Sequence, residues 1–106
     1  MRPTPAALAA HLSELVTGTP GVARIEPSLR AGAHPFADGV PFRSARVVDH
    51  YGVVDVEVDV SVRAGHQARV IARTLRLRLL HALEEQGLVA GSVVVNVLSI
   101  DRTPDA

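Results

Sequence analysis

The chain has 106 residues, enough for one domain with its own core and too few for two. Eleven basic side chains balance eleven acidic ones, so no long-range field gathers nucleic acid or an anionic membrane; with no cysteine, disulfides, thiolate nucleophiles and sulfur-built zinc sites are excluded. Apolar residues make up 47% of the chain, yet only Phe36, Phe42 and Tyr51 are aromatic, so the core must be aliphatic and platforms for stacking bases or sugars are few.

The opening stretch, MRPTPAALAAHLSELV, has a single basic residue before its small apolar run, and His11, Ser13 and Glu14 interrupt that run. It lacks the unbroken apolar centre of a signal peptide, and no segment approaches the ~18 apolar residues of a membrane span. The expectation is a soluble, cytoplasmic protein. Pro5 opens a helix with Thr4 as its cap, and Leu8, Leu12 and Leu15 or Val16 recur at helical spacing. The segment GTPG, Gly18 to Gly21, stops that helix, and a short strand runs from Val22 to about Glu26 before Pro27. Residues 30 to 42, RAGAHPFADGVPF, combine turn residues with little periodicity and read as a loop.

Arg43 to His50 reads as a second strand, HYG as a tight turn, and Val53 to Val62 as a third strand antiparallel to the second. In this third strand Val54, Val56, Val58, Val60 and Val62 share one face, while Asp55, Glu57, Asp59 and Ser61 share the other. Burial of a valine is worth roughly 1.5 to 3 kcal/mol, so the register is set by this face and a one-residue slip would expose it. Gly65 closes the strand. His66 to Gln86 forms the longest helix, with Gly87 as its left-handed cap, and Ala68, Ile71, Ala72, Leu75, Leu79, Ala82 and Leu83 form a stripe that must cover the valines. A last strand, about Ser92 to Ile100, carries the near-continuous apolar run VVVNVLSI, which suits a central position covered more fully than the third strand. Strand, helix, strand is a crossover unit, so the third and last strands should run parallel. The tail DRTPDA is expected to fray.

The carboxylates Asp55, Glu57 and Asp59 stand at alternate positions, but hard-metal sites need further oxygen donors converging from a turn. The expectation is a solvated sheet face whose acids pair with Arg43 or Arg46 and whose replacement by amides leaves the fold intact. His11, His34, His50, His66 and His81 include no pair at the i, i+4 spacing of a helical zinc motif, and they read as surface residues. Asp49, His50 and Tyr51 resemble catalytic vocabulary, but neighbours on a strand point to opposite faces and cannot relay a proton. GTPG also fits the GxxG loop of KH domains, where it joins two helices and clamps a nucleic-acid backbone; here it joins a helix to a strand, and Pro20 lacks an amide donor.

On the long helix, Arg69, Arg73 and Arg76 cluster along one flank, suited to a phosphate or an acidic partner. Opposite the core stripe, Val70 and Leu77 align, with Leu80 beside them, in the pattern of a partner surface. No cofactor, metal site or catalytic set is expected.

The order helix, strand, loop, strand, acid-alternating strand, long helix, strand resembles the alkaline shock protein family of bacterial envelope stress response proteins. The likeness rests on Gly21, Val22 and Ile25, on Val54 to Val62, on Gly65, and on Gly87 followed by Val93, Val95, Asn96 and Val97. It implies a non-enzymatic protein that self-associates and is held at the inner face of the membrane by an integral membrane partner, without inserting itself. The fold expected is α+β in two layers: a small mixed sheet of three to four strands, with the long helix and the N-terminal helix on one face. A different class of function, a KH-like single-stranded nucleic-acid binder using GTPG and the arginines, would show steep salt dependence. A third, an enzyme with its site in the 30–42 loop, would have only His34 and Asp38 as evident chemistry.

Overall fold

The computed structural model describes residues 3–27, 36–37, 40–41 and 44–103. Helix α1 spans Pro5–Thr17, and the side chain of Thr4 caps it by accepting the Ala7 N–H at 3.1 Å. Strand β1 (Val22–Ile25) follows, then two short strands, β2 (Phe36–Ala37) and β3 (Val40–Pro41), which pair antiparallel with each other. This ladder lies within the segment expected to be a plain loop. Strands β4 (Arg46–His50) and β5 (Val53–Arg63), helix α2 (Ala68–Glu85) and strand β6 (Val89–Asp101) complete the order.

The architecture is two-layered α+β, a mixed four-stranded sheet with both helices on one face. Strand β5 is its spine. Along one edge β5 pairs antiparallel with β4 near its start and with β1 near its end; along the other it pairs parallel with β6 over its whole length. The parallel β5–β6 pair is the crossover expected from the strand, helix, strand order. The turn between β4 and β5 has two residues, Tyr51 and Gly52, both at positive φ as a type I′ turn requires, and Asp49 Oδ1 accepts the Gly52 N–H at 2.8 Å.

The five alternating valines of β5 are all buried, joined in one core by Leu8, Leu12 and Val16 of α1 and by Ile71, Leu75, Leu79, Ala82 and Leu83 of α2. Helix α1 packs over β1 and β4, and α2 lies mainly over β6. Gly87 takes the positive φ expected after α2.

Three element starts differ from the sequence reading. Strand β4 starts at Arg46 and not at Arg43, because the Ala45 N–H is taken by Ser13 Oγ of α1 at 3.0 Å; Arg43 lies outside the described residues. Helix α2 starts at Ala68, after an extended Gln67. Strand β6 starts at Val89: Gly91 is the extra residue of a bulge opposite the Val54–Asp55 step, where a Cβ would come within 2.4 Å of Asp55 Oδ1.

The position of β6 is a larger correction. It is an edge strand, not a central one: among the described residues it pairs only with β5, and Val93 is its one buried hydrophobic. Its inward valines face α2, while among the described residues no strand pairs with its outward edge and Val94 and Leu98 are exposed.

Gly21 holds the α1–β1 turn at φ +92, and a Cβ there would lie 2.5 Å from Ile71 Cδ1. Gly21→Ala combines left-handed strain with a clash against α2. It is expected to lower stability by about 2 to 3 kcal/mol, read as a shift of the urea midpoint at unchanged m-value; a shift smaller than that of Gly87→Ala, where a Cβ meets nothing within 4 Å, would refute the clash.

Candidate functional site

Two surfaces carry the residues singled out from the sequence: the outer face of the sheet and the outer side of α2. On the sheet, register brings Arg46 of β4 opposite Glu57, and Ser92, Val94 and Asn96 of β6 opposite Asp55, Glu57 and Asp59. Paired residues share a face, so the three acids are flanked on both sides. Asn96 Nδ2 donates to Glu57 Oε2 and to Asp59 Oδ1, both at 2.8 Å, and Ser92 Oγ donates to Asp55 Oδ1 at 3.0 Å. Arg46 Nη2 stands 2.8 Å from Glu57 Oε1 and Nη1 stands 3.8 Å from Asp59 Oδ2. Neither nitrogen is aligned for a directed hydrogen bond, so charge holds these pairs.

The polar lattice continues toward the far end of β5. Ser61 Oγ donates to Glu26 and also meets the hydroxyl of Ser99, which must then donate to it. Arg24 bridges the sheet, with Nε 2.9 Å from Glu26 Oε1 and Nη1 3.0 Å from Asp101 Oδ2. The expected pairing with Arg46 is present. The expected uniform wetness is not: Asp59 is only 8% exposed and Ser61 is fully buried. Asn96 and Ser99 are the residues sequence reading missed here. Their signal, polar side chains breaking the apolar run of β6, gains meaning only once the register with β5 is known.

Among the described residues no three His, Asp or Glu side chains are grouped to hold a metal ion. His11, His50, His66 and His81 are all exposed as expected, and His81 Nε2 lies 2.7 Å from Glu85 Oε1 on the same helix. His34, Asp38 and Arg43 lie outside the described residues. The GTPG segment does join a helix to a strand. Thr19, buried within it, donates to Leu15 O at 2.9 Å and accepts from Arg78 Nη1 at 2.9 Å, tying α1 to α2.

On α2, Val70 and Leu77 are 48% and 57% exposed on the side away from the core, as expected. Leu80 is different: it is half-buried and packs against the core margin, so the exposed aliphatic row is shorter than the sequence suggested. Arg69, Arg73 and Arg76 are exposed on one flank, and Arg78 reaches Thr19 on the other. The surface set is therefore Val70, Leu77 and three guanidiniums.

Two measurements probe the sheet face. Asp59→Asn removes a charge from a buried place beside Arg46 and is expected to cost about 1 to 2 kcal/mol, whereas Asp55→Asn at the margin should stay within about 0.5 kcal/mol; equal losses in thermal unfolding would contradict the asymmetry. Asp101 is held below the ordinary aspartate range, first by the Thr103 hydroxyl, next by the Thr103 N–H at 2.8 Å, and less by Arg24. A lowered folded-state value means the carboxylate favours folding at neutral pH, and this contribution is lost as pH falls through that value. In a carbon-detected NMR titration Asp101 should therefore show a midpoint below that of free aspartate, and Arg24→Gln should raise it only in part. A midpoint at or above that of free aspartate would overturn the assignment.

Comparison of the chain with family models, with curated proteins and with solved structures finds no match.

Proposed function

We propose that this chain is a non-enzymatic interaction domain of the alkaline shock type, which self-associates through the outer side of α2 and serves as a structural element of the bacterial envelope stress response, at the inner face of the membrane through an integral membrane partner. The observation that carries the reading is the exposure of Val70 and Leu77 on a helix whose opposite stripe is saturated by the core. The hydrophobic cost of two large aliphatic side chains aligned two turns apart is removed when a second surface covers them.

Support also comes from the element order and from the residues that carry the resemblance. Gly21 seats the first turn against α2, Gly87 ends α2, and Val93, Val95 and Val97 of β6 lie beneath it. Among the described residues no helix is long and apolar enough to cross a membrane, so the membrane contact in this reading belongs to the partner.

Val70→Glu with Leu77→Glu changes two exposed positions and leaves the core stripe untouched. The double variant should retain the far-UV spectrum and melting point of the parent and sediment as a monomer at concentrations where the parent grows in mass. Undiminished assembly of the variant, or a parent that stays monomeric over a hundredfold range of concentration, would count against this surface.

A further inference from the structure

The placement of the two helices leaves one side of the molecule unlike the other. Helix α1 covers the β1 and β4 side of the sheet, and Arg78 marks the flank of α2 that faces it. The opposite flank of α2, with Arg69, Arg73 and Arg76 exposed, therefore looks out over the open edge of β6. Because α2 starts just after the end of β5 and runs back along the sheet, its first turns lie over the second half of β6. The flank with the three guanidiniums thus lies on the β6 side of α2.

Along that edge β6 has no strand partner among the described residues, so alternate N–H and C=O groups point outward unpaired. Val94, Leu98 and Ile100 are exposed beside it. Between Val93 and Ile100 there is no charge and no proline to guard the edge, and its one irregularity is the bulge at Leu98, opposite the Val60–Ser61 step.

We propose that the open edge of β6 takes up an extended acidic segment of a partner protein as an added strand, its backbone paired with β6 and its carboxylates held by Arg69, Arg73 and Arg76. Charge decides the occupant. A second copy related by a two-fold axis perpendicular to the sheet, pairing β6 antiparallel with its own copy, would set the two α2 helices on one face with their arginine flanks opposed, and like charges there repel. An acidic strand meets the same flank with attraction. The spacing fits: Arg69 and Arg76 are separated by a rise of about 10 Å along the helix, and alternate residues of a strand stand roughly 6.7 Å apart, so two or three carboxylates on one face of the strand span the cluster. The intervening side chains would lie beside Val94 on the outer face and are aliphatic. Backbone pairing supplies affinity, and the acid–aliphatic alternation supplies selectivity.

The proposal shares with the function above only the premise that the chain works by docking, since Val70 and Leu77 lie on a different side of α2. The test uses a fluorescein-labelled peptide of alternating valine and glutamate, about ten residues long, with blocked ends. Fluorescence anisotropy should show saturable binding that weakens at least about tenfold in Arg69→Glu/Arg73→Glu/Arg76→Glu, and the lysine-for-glutamate peptide should fail to bind the parent. N-methylation of one alternating set of peptide nitrogens should abolish binding while methylation of the other set leaves it, and amides of β6 between Val93 and Ile100 should gain protection from exchange. Val70→Glu/Leu77→Glu should bind the peptide as the parent does, which separates this surface from the self-association surface. The proposal is overturned by equal binding of both methylated peptides, by unchanged affinity of the triple arginine variant, by β6 amides already protected in a peptide-free dimer, or by binding to phosphatidylserine vesicles with none to the peptide.

Discussion

Strand β5 is the constraint from which the rest of the molecule follows. It alone touches every other strand of the main sheet, and its alternation splits the protein into an aliphatic inner layer and a polar outer one. Five valines without a polar atom among them can face only a dry layer, so both helices must come to the same side. The opposite side then has to satisfy acids at every second position. It does so with residues drawn from both neighbours: Arg46 from the antiparallel side, and Ser92, Asn96 and Ser99 from the parallel side.

Features that depend on short-range pattern were legible in the sequence. The valine alternation marks β5, Gly87 marks the end of α2, and the Leu75 to Leu83 stripe marks the face α2 buries. Features that depend on which strand lies beside which were not. The run VVVNVLSI looks central because inward and outward positions are both apolar, yet Val94 faces out beside Glu57 and stays exposed. The Gly91 bulge concealed the true start of β6 for a related reason: a glycine between two apolar stretches reads as a break until the crowding by Asp55 is seen. Asp59 looked as wet as Asp55 because both occupy the same face; its burial comes from its position nearer the middle of the sheet, where Arg46 and Asn96 close over it.

The two flanks of α2 show how one helix divides its work. Arg78 reaches across to Thr19 and helps fasten α1, so it belongs to the fold. Arg69, Arg73 and Arg76 have room on the other flank, and Val70 with Leu77 occupies the crest between. A helix that needed only to cover β6 would be served by any polar residues at these positions. Arginines cost more side-chain entropy to fix than shorter polar groups do, and they recover it when a planar acceptor is present.

The two margins of the sheet differ in the side chains of the helix set above them. On the β1 and β4 side, α1 covers the inner face, and Ser13 of that helix takes the Ala45 N–H at the start of β4. On the β6 side, α2 covers the inner face, and among the described residues no strand pairs with the outward edge, over a length greater than that of β4 or β1. Edge strands of that length invite pairing, and neutral ones invite it indiscriminately. A row of positive charge above the edge narrows the choice. It repels an identical strand arriving with its own arginines and admits one that carries carboxylates, so the same three residues that leave the surface open to a partner also oppose pairing of β6 with its own copy.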